Sequence, residues 1–192
     1  MDKLQKPLEI ESPLAAALIP RLKAGMRLLI SGVIYVARDA AHQRMTAALE
    51  RGEPLPFDPA GQTLYYMGPS PARPGQVIGS AGPTTSSRMD IYTPPLLAAG
   101  LRAIIGKGNR SPAVREALKE CGAVYLVTLG GAGALLSQAI KQSEVIAYPE
   151  LGAEAVLRLR VENFPAVVAN DIYGGDLFTG ARAQYEKKEE NC

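Results

Sequence analysis

Residues 79–90 read GSAGPTTSSRMD, four hydroxyl side chains in a row with Arg88 four positions after Thr84 and three after Thr85. If Pro83 precedes a first helical turn, Thr84 and Thr85 fall where backbone N–H groups lack partners, a setting that attracts anions. Arg88 shares their helical face. Two hydroxyls, free amides and a guanidinium then make a cradle for a carboxylate. Simple N-capping beside a surface arginine explains the same residues equally well.

Two more cations sit where apolar runs end. ARDAAHQR (37–44) puts Arg38 at the mouth of an expected helix, where a guanidinium can grip a planar carboxylate through two parallel bonds. The plainer alternative is a surface pair with Asp39. His42, a lone helical histidine, reads as a packing residue. IIGKGN (104–109) sets Lys107 between two glycines, which lets backbone approach a ligand or merely forms a turn with a solvated lysine. The GxxxxGK[ST] phosphate loop is absent, and LGGAGALL (129–136) has leucine where a dinucleotide fingerprint needs its third glycine.

Arg38, Arg88 and Lys107 brought together would repel unless an anion of about two charges joined them, and a small dicarboxylate meets that need. Thr84 or Thr85 is then the only candidate base. A threonine hydroxyl needs activation, and the sequence offers no obvious activator. The residues read as half of an active site.

The elements that must hold these residues follow an α/β pattern. MRLLISGVIYVA (26–37) predicts a strand bent at Gly32, followed by a helix capped by Asp39 and stopped at Gly52. Residues 62–68 and 76–82 predict strands, and the threonine stretch predicts a helix reaching about Ala99, kinked at Pro94 and Pro95. Beyond Gly100 come a strand at 101–106, a helix starting at Ser111-Pro112, a strand at 123–131, a helix at 132–140, and strands at 144–152, 155–164 and 166–174. The fold class expected is α/β with mixed sheets. The 192 residues are read as one domain with an N-terminal extension (1–20) and a charged tail (180–192).

A net charge of +2 implies no general pull toward nucleic acid or anionic lipid. Cys121 and Cys192, far apart and without a Cys/His cluster, argue against a metal site or disulfide framework in this chain. No apolar run is long enough to span a membrane, and the start lacks a secretory pattern, so a cytoplasmic protein is expected.

In order, ARDAAHQR, IGSAGPTTSSRMD, IIGKGN, LGGAGALL, PELGAEAVLRLRVENFP and NDIYGGDLF resemble successive motifs of the class I fumarase and tartrate dehydratase family, from about Met26 to Phe178. The resemblance is to the β subunit of two-subunit enzymes, equivalent to the C-terminal domain of fused ones. It implies a swivelling β/β/α domain and a hydro-lyase adding water across a carbon–carbon double bond, fumarate to L-malate in the fumarases. It also implies a [4Fe-4S] cluster held by three cysteines of a partner α subunit. Carried over by motif, Arg38, Thr85, Arg88 and Lys107 bind substrate. Thr84 is the base, activated by residues at the interface with the α part, and Ser86 and Ser87 pack closely. ARDAAH is closer to the fumarase version; an L-tartrate dehydratase β subunit and a non-catalytic dicarboxylate-binding module are the alternatives. LGAEAV lacks the methionine and proline of the family's LGMPEA, a change expected to alter local packing. The chain is expected to be a separate subunit, with a fragment of a fused enzyme as the alternative, silent alone and with an exposed apolar patch where the α subunit docks.

Overall fold

The computed structural model describes residues 6–180; the charged tail, Cys192 included, lies outside them apart from Gly180. The longest strands form its spine. β2 (Arg27–Val36) runs antiparallel to β7 (Val156–Asn170), from Arg27 opposite Val167 to Val36 opposite Leu157. On its other edge β2 pairs in parallel first with β1 (Leu8–Ser12) and then with β3 (Thr63–Tyr65). β3 continues in parallel to β4 (Ala103–Gly106) and β5 (Val124–Val127), and β5 returns to β7. The path β2-β3-β4-β5-β7 therefore closes on itself as a small barrel-like ring, and β6 (Ile140–Ala147) flanks β7.

Alternation along the short parallel strands feeds two cores. Tyr65, Ile105 and Leu126 point into the ring and meet Ile30, Ile34 and Phe164 from the spine. Leu64, Tyr66, Ile104 and Tyr125 point outward, under α1 (Asp39–Glu50), α2 (Thr93–Ala98) and α3 (Pro112–Glu120). Because both faces are covered, these strands read as continuous apolar runs rather than alternating ones. α3 starts as expected, with Ser111 Oγ accepting the Val114 N–H at 3.4 Å and Pro112 in the first turn.

The bend expected at Gly32 is a bulge inside one continuous strand pair. Gly32 has φ 102°, and a Cβ there would run into the Ser12 carbonyl of β1. The extra residue lies in β7, where Asn163 takes φ 51° and donates its N–H to Ser31 Oγ at 3.1 Å.

Several expected boundaries shift. β7 is one strand across Pro165, because Pro165 falls between the last residue paired with β6 and the first paired with β5. It ends at Asn170, where Asp171 Oδ1 accepts the Tyr173 and Gly175 N–H groups and turns the chain. Residues 76–82 form no strand: Ser70 Oγ holds Ser80 N–H at 2.8 Å, and Ala81 N–H goes to Gly133 at 3.0 Å instead of a ladder. The expected helix from the threonines is a 3₁₀ turn at Ser86–Met89 followed by α2. The helix expected at 132–140 is α4 (Gly133–Gln138), Ile140 already belonging to β6. After β6, Tyr148 at φ 55° leads into a 3₁₀ turn at Pro149–Glu154 rather than more strand. Asp39 is the first helical residue, not the cap, and its carboxylate is engaged elsewhere. No helix of the described residues is long and apolar enough to cross a membrane.

His42 lies fully buried in the outer core, edge-on to Tyr66 with ring centroids 4.8 Å apart, its Nδ1 3.0 Å from the Arg38 carbonyl. Burial, helped by the Arg110 charge, pushes its pKa down to about 4. The unfolded chain binds that proton near pH 6.5, so the contribution of neutral His42 is complete above that pH and is lost as pH falls toward 4. Urea denaturation at about pH 7.5 and about pH 5 should show a loss of up to about 1.4 kcal/mol per pH unit from this group, reduced in His42→Gln.

Candidate active site

Strands β2, β3, β4 and β5 run parallel, so their C-terminal ends lie at one end of the ring, the place where α/β folds offer ligand sites. Arg38 follows β2, Lys107 follows β4, and the glycine loop beginning at Gly130 follows β5. The threonine segment is laid across these ends. Thr84 N–H donates to the Tyr66 carbonyl at 2.8 Å, and Ser86 N–H donates to the Lys107 carbonyl at 3.0 Å. Thr85 pairs with Lys107 as a single parallel bridge, and Lys107 N–H donates to Ser86 Oγ at 3.1 Å. These contacts correct the expectation of a helix start with free amides at Thr84: its amide and that of Ser86 are spent on strand ends.

Arg88 is the hub of those side chains. Its Nη2 donates to Thr84 Oγ1 at 2.7 Å and to Asp39 Oδ2 at 3.0 Å, so the shared face expected of Thr84 and Arg88 exists without an α-helix beneath it. Asp39 Oδ2 also accepts from Arg38 Nε at 3.2 Å. Arg38 Nη2 stands 3.2 Å from Glu154 Oε1, whose other oxygen accepts the Ala40 N–H at 2.7 Å. The mutual repulsion expected of the three cations is thus answered for the two arginines by Asp39 and Glu154. Lys107 makes no ion pair among the described residues. Burial pushes the Asp39 carboxyl up, but its backbone contact and the Arg38 and Arg88 guanidiniums outweigh that and hold it below the usual carboxylate range.

The structure joins Arg38, Arg88 and Thr84 in one hydrogen-bonded chain through Asp39, and joins Thr85 to Lys107 through backbone. Four contributors, Asp39 as a bridge, Glu154, Gly68 and Tyr125, escaped the sequence reading. Asp39 bridges two arginines rather than capping a helix. Glu154 comes from 114 positions beyond Ala40, a separation that no local spacing signals. Gly68 lies under Arg38, where a Cβ would come within 2.9 Å of Cδ. Ser86 is buried as expected of a close-packed position, whereas Ser87 is exposed. Tyr125 reaches from β5 to put its hydroxyl 3.0 Å from Ser86 Oγ while donating to the Gly108 carbonyl at 2.9 Å.

Large apolar side chains border the same sequence segments. Ile91 is 77% exposed three residues after Arg88, and Leu129 is 65% exposed beside Gly130, over which the Lys107 stem lies. Leu135 on α4 is likewise exposed, next to Gly133, which packs against Gly82. An apolar cavity of about 330 Å³ lined by Arg27, Leu29, Val127 and Pro165 holds none of the five expected site residues.

A family model described as fumarase C-terminus matches residues 2–181. The chain is 44% identical over 154 residues to the aerobic class I fumarate hydratase of Salmonella typhimurium, covering 79% of this chain and 27% of that protein. It is 41% identical over 157 residues to fumarate hydratase 2 of Leishmania major, covering 81% of this chain and 28% of that protein. A protein of Methanocaldococcus jannaschii provisionally named L(+)-tartrate dehydratase subunit beta is 36% identical over 179 residues, covering 90% of this chain and 92% of that protein. The chain therefore spans little more than a quarter of the fumarate hydratases and nearly the whole of the archaeal protein.

Gly106 has a specific duty beside Lys107. A Cβ there would collide with Ser86 Oγ and stand 3.2 Å from Ser86 Cβ, so the glycine makes room for the Ser86 contact. Gly106→Ala should cost about 1–3 kcal/mol in urea denaturation.

Proposed function

The chain belongs to the fumarase C-terminus family, and from that premise we propose that it is the β subunit of a [4Fe-4S]-dependent hydro-lyase, most simply a class I fumarate hydratase. It supplies carboxylate-binding side chains and a threonine base to a site completed by a cluster-bearing α subunit. The observation that carries this reading is the 2.7 Å hydrogen bond from Arg88 Nη2 to Thr84 Oγ1. A guanidinium donating to a hydroxyl oxygen favours the deprotonated form of that hydroxyl. Threonine therefore has an activator within this chain, where the sequence offered none.

On this reading Arg38, Arg88, Lys107 and Thr85 hold the two carboxylates of the diacid. In dehydration Thr84 Oγ, deprotonated at the start of the step, takes the proton from the carbon next to the hydroxyl-bearing one and becomes the neutral hydroxyl. The C–H electron pair becomes the second bond of the alkene, and hydroxide departs from the neighbouring carbon. Hydration runs the same steps backward, Thr84 returning the proton to carbon. The described residues do not fit a cluster site: Cys121 is the one cysteine among them, and no three His, Cys, Asp or Glu side chains converge to hold a metal. The reading therefore assigns the cluster to the α subunit, where it would supply a Lewis acid for the departing hydroxyl.

The exposed Ile91, Leu129 and Leu135 beside the site residues suit the docking face of that α subunit. A swivelling β/β/α domain type, a homo- or hetero-oligomeric assembly and a cytoplasmic location belong to the same proposal. The near-complete coverage of the archaeal protein supports a second reading, the β subunit of an L-tartrate dehydratase, with the same residues in the same roles. A purely binding module needs the cations but not the Thr84–Arg88 pair, and that pair favours an enzyme.

Anaerobic assays of fumarate and tartrate with this chain alone and mixed with its reconstituted α subunit test the reading. Activity is expected only in the mixture. Thr84→Ala should lower kcat by on the order of 10²–10⁴, the usual worth of a positioned base; activity that survives the substitution removes Thr84 from that role. Arg88→Ala should cost roughly 10- to 100-fold in kcat/KM, from about 1.5–3 kcal/mol of charge-assisted hydrogen bonding. Its urea midpoint should barely move, because Arg88 is 47% exposed.

A further inference from the structure

Behind the Thr84–Lys107 segment lies a guanidinium that the reaction does not use. The Arg110 side chain is fully buried, three residues past Lys107. Its Nε donates to Asp90 Oδ1 at 2.7 Å and its Nη2 to Thr93 Oγ1 at 2.6 Å. The second Asp90 oxygen accepts the Ser111 N–H at 2.7 Å. The Thr93 hydroxyl spends its one proton on the Met89 carbonyl at 2.8 Å, so it accepts from both Arg110 and the Tyr66 hydroxyl, 2.9 Å away. The guanidinium also stands 5.3 Å from the Tyr66 ring centroid and 4.9 Å from that of Tyr125.

A buried ion pair is a poor route to stability, because desolvating both charges costs several kcal/mol. Here one guanidinium nitrogen, Nη1, also stays buried without a partner among the described residues. What the arrangement does achieve is a connection. Asp90 lies two residues after Arg88, and Arg110 closes the turn that begins at Lys107. Tyr125, against the same guanidinium, fixes the Gly108 carbonyl of that turn and contacts Ser86, the acceptor of the Lys107 amide. The two side chains that accept from Arg110 thus stand just past Arg88, Asp90 in the turn after it and Thr93 at the start of α2, while Arg110 itself ends the turn of Lys107.

We propose that Arg110 is a positioning residue that clamps the Arg88 and Lys107 loops at a fixed separation, through Asp90 and Thr93 on one side and its own turn on the other. Its consequence for turnover rests on the hydro-lyase reading above. A lysine cannot replace it, since a single ammonium lacks the rigid fork that meets Asp90 and Thr93 together.

The test takes Arg110→Lys in the full chain and measures amide hydrogen exchange by NMR. The Ser86 and Lys107 amides should exchange at least about tenfold faster, while Leu126 and Val168 in the ring keep their protection. In the anaerobic complex with the α subunit, kcat/KM for fumarate should fall on the order of 100-fold, the scale of a misplaced binding group. In a Lys107→Ala background the same substitution should cost less than about a tenth of that factor, because one of its routes to substrate is already cut. If Arg110→Lys loses its cooperative urea transition, Asp90→Asn carries the same readouts with smaller changes. Unchanged exchange at Ser86 and Lys107, faster exchange spread evenly through the ring, or equal kinetic factors in both backgrounds overturns the clamp. Local acceleration in a wild-type-inactive complex, with both diacids tried, overturns the hydro-lyase reading and leaves the clamp standing.

Discussion

The antiparallel pairing of β2 with β7 is the contact on which the rest of the chain depends. Each of these strands keeps one edge for the other and divides its second edge between two neighbours, β1 and β3 for β2, β6 and β5 for β7. Without the pairing, the seven strands would form one open sheet, with Tyr65, Ile105 and Leu126 no longer enclosed. With it, those side chains close against Ile30, Ile34 and Phe164, and the strand ends that carry the candidate site acquire a rigid common rim. The bulge at Gly32 and Asn163 absorbs one extra residue without breaking that closure.

Charge at the rim is distributed unevenly. Asp39 and Glu154 neutralise Arg38 and Arg88 and fix their orientations, whereas Lys107 makes no ion pair among the described residues. A carboxylate reaching the arginines therefore exchanges one anionic partner for another at guanidiniums already aimed. Little side-chain entropy is left to lose there, which is the physical content of preorganisation. The lysine side offers net attraction instead. On the proposed reading, the first feature sets geometry and the second sets the pull on a dianion.

Much of this was legible in the sequence because it is local. The βα turn at Ser111-Pro112, the glycine in the bent first long strand and the spacing of Thr84 to Arg88 each depend on a few neighbouring residues. Other features depend on residues remote in the chain. The Thr84 and Ser86 amides are captured by the Tyr66 and Lys107 carbonyls, so a segment patterned to begin a helix is held extended. Residues 76–82 have the composition of a strand, but their amides find Ser70 and Gly133. Glu154 and Asp39 share Arg38 only because a turn after β6 returns to the start of α1. A proline that reads as a strand break is tolerated because it falls between the β6 and β5 pairings of β7, where the Thr128 hydroxyl meets its carbonyl and no ladder needs its missing N–H.

The register of the spine also dictates an order of assembly. Arg27 waits for Val167, and Val36 for Leu157, so the pairing that seals the ring joins segments more than one hundred residues apart. The entropy of closing so long a loop must be met before any closing contact forms, which places this topology among the slower-folding ones. During synthesis the apolar inner faces of β2 to β5 emerge well before β7 can cover them. A nascent chain of this architecture is therefore a natural client for chaperones until its last long strand has been made.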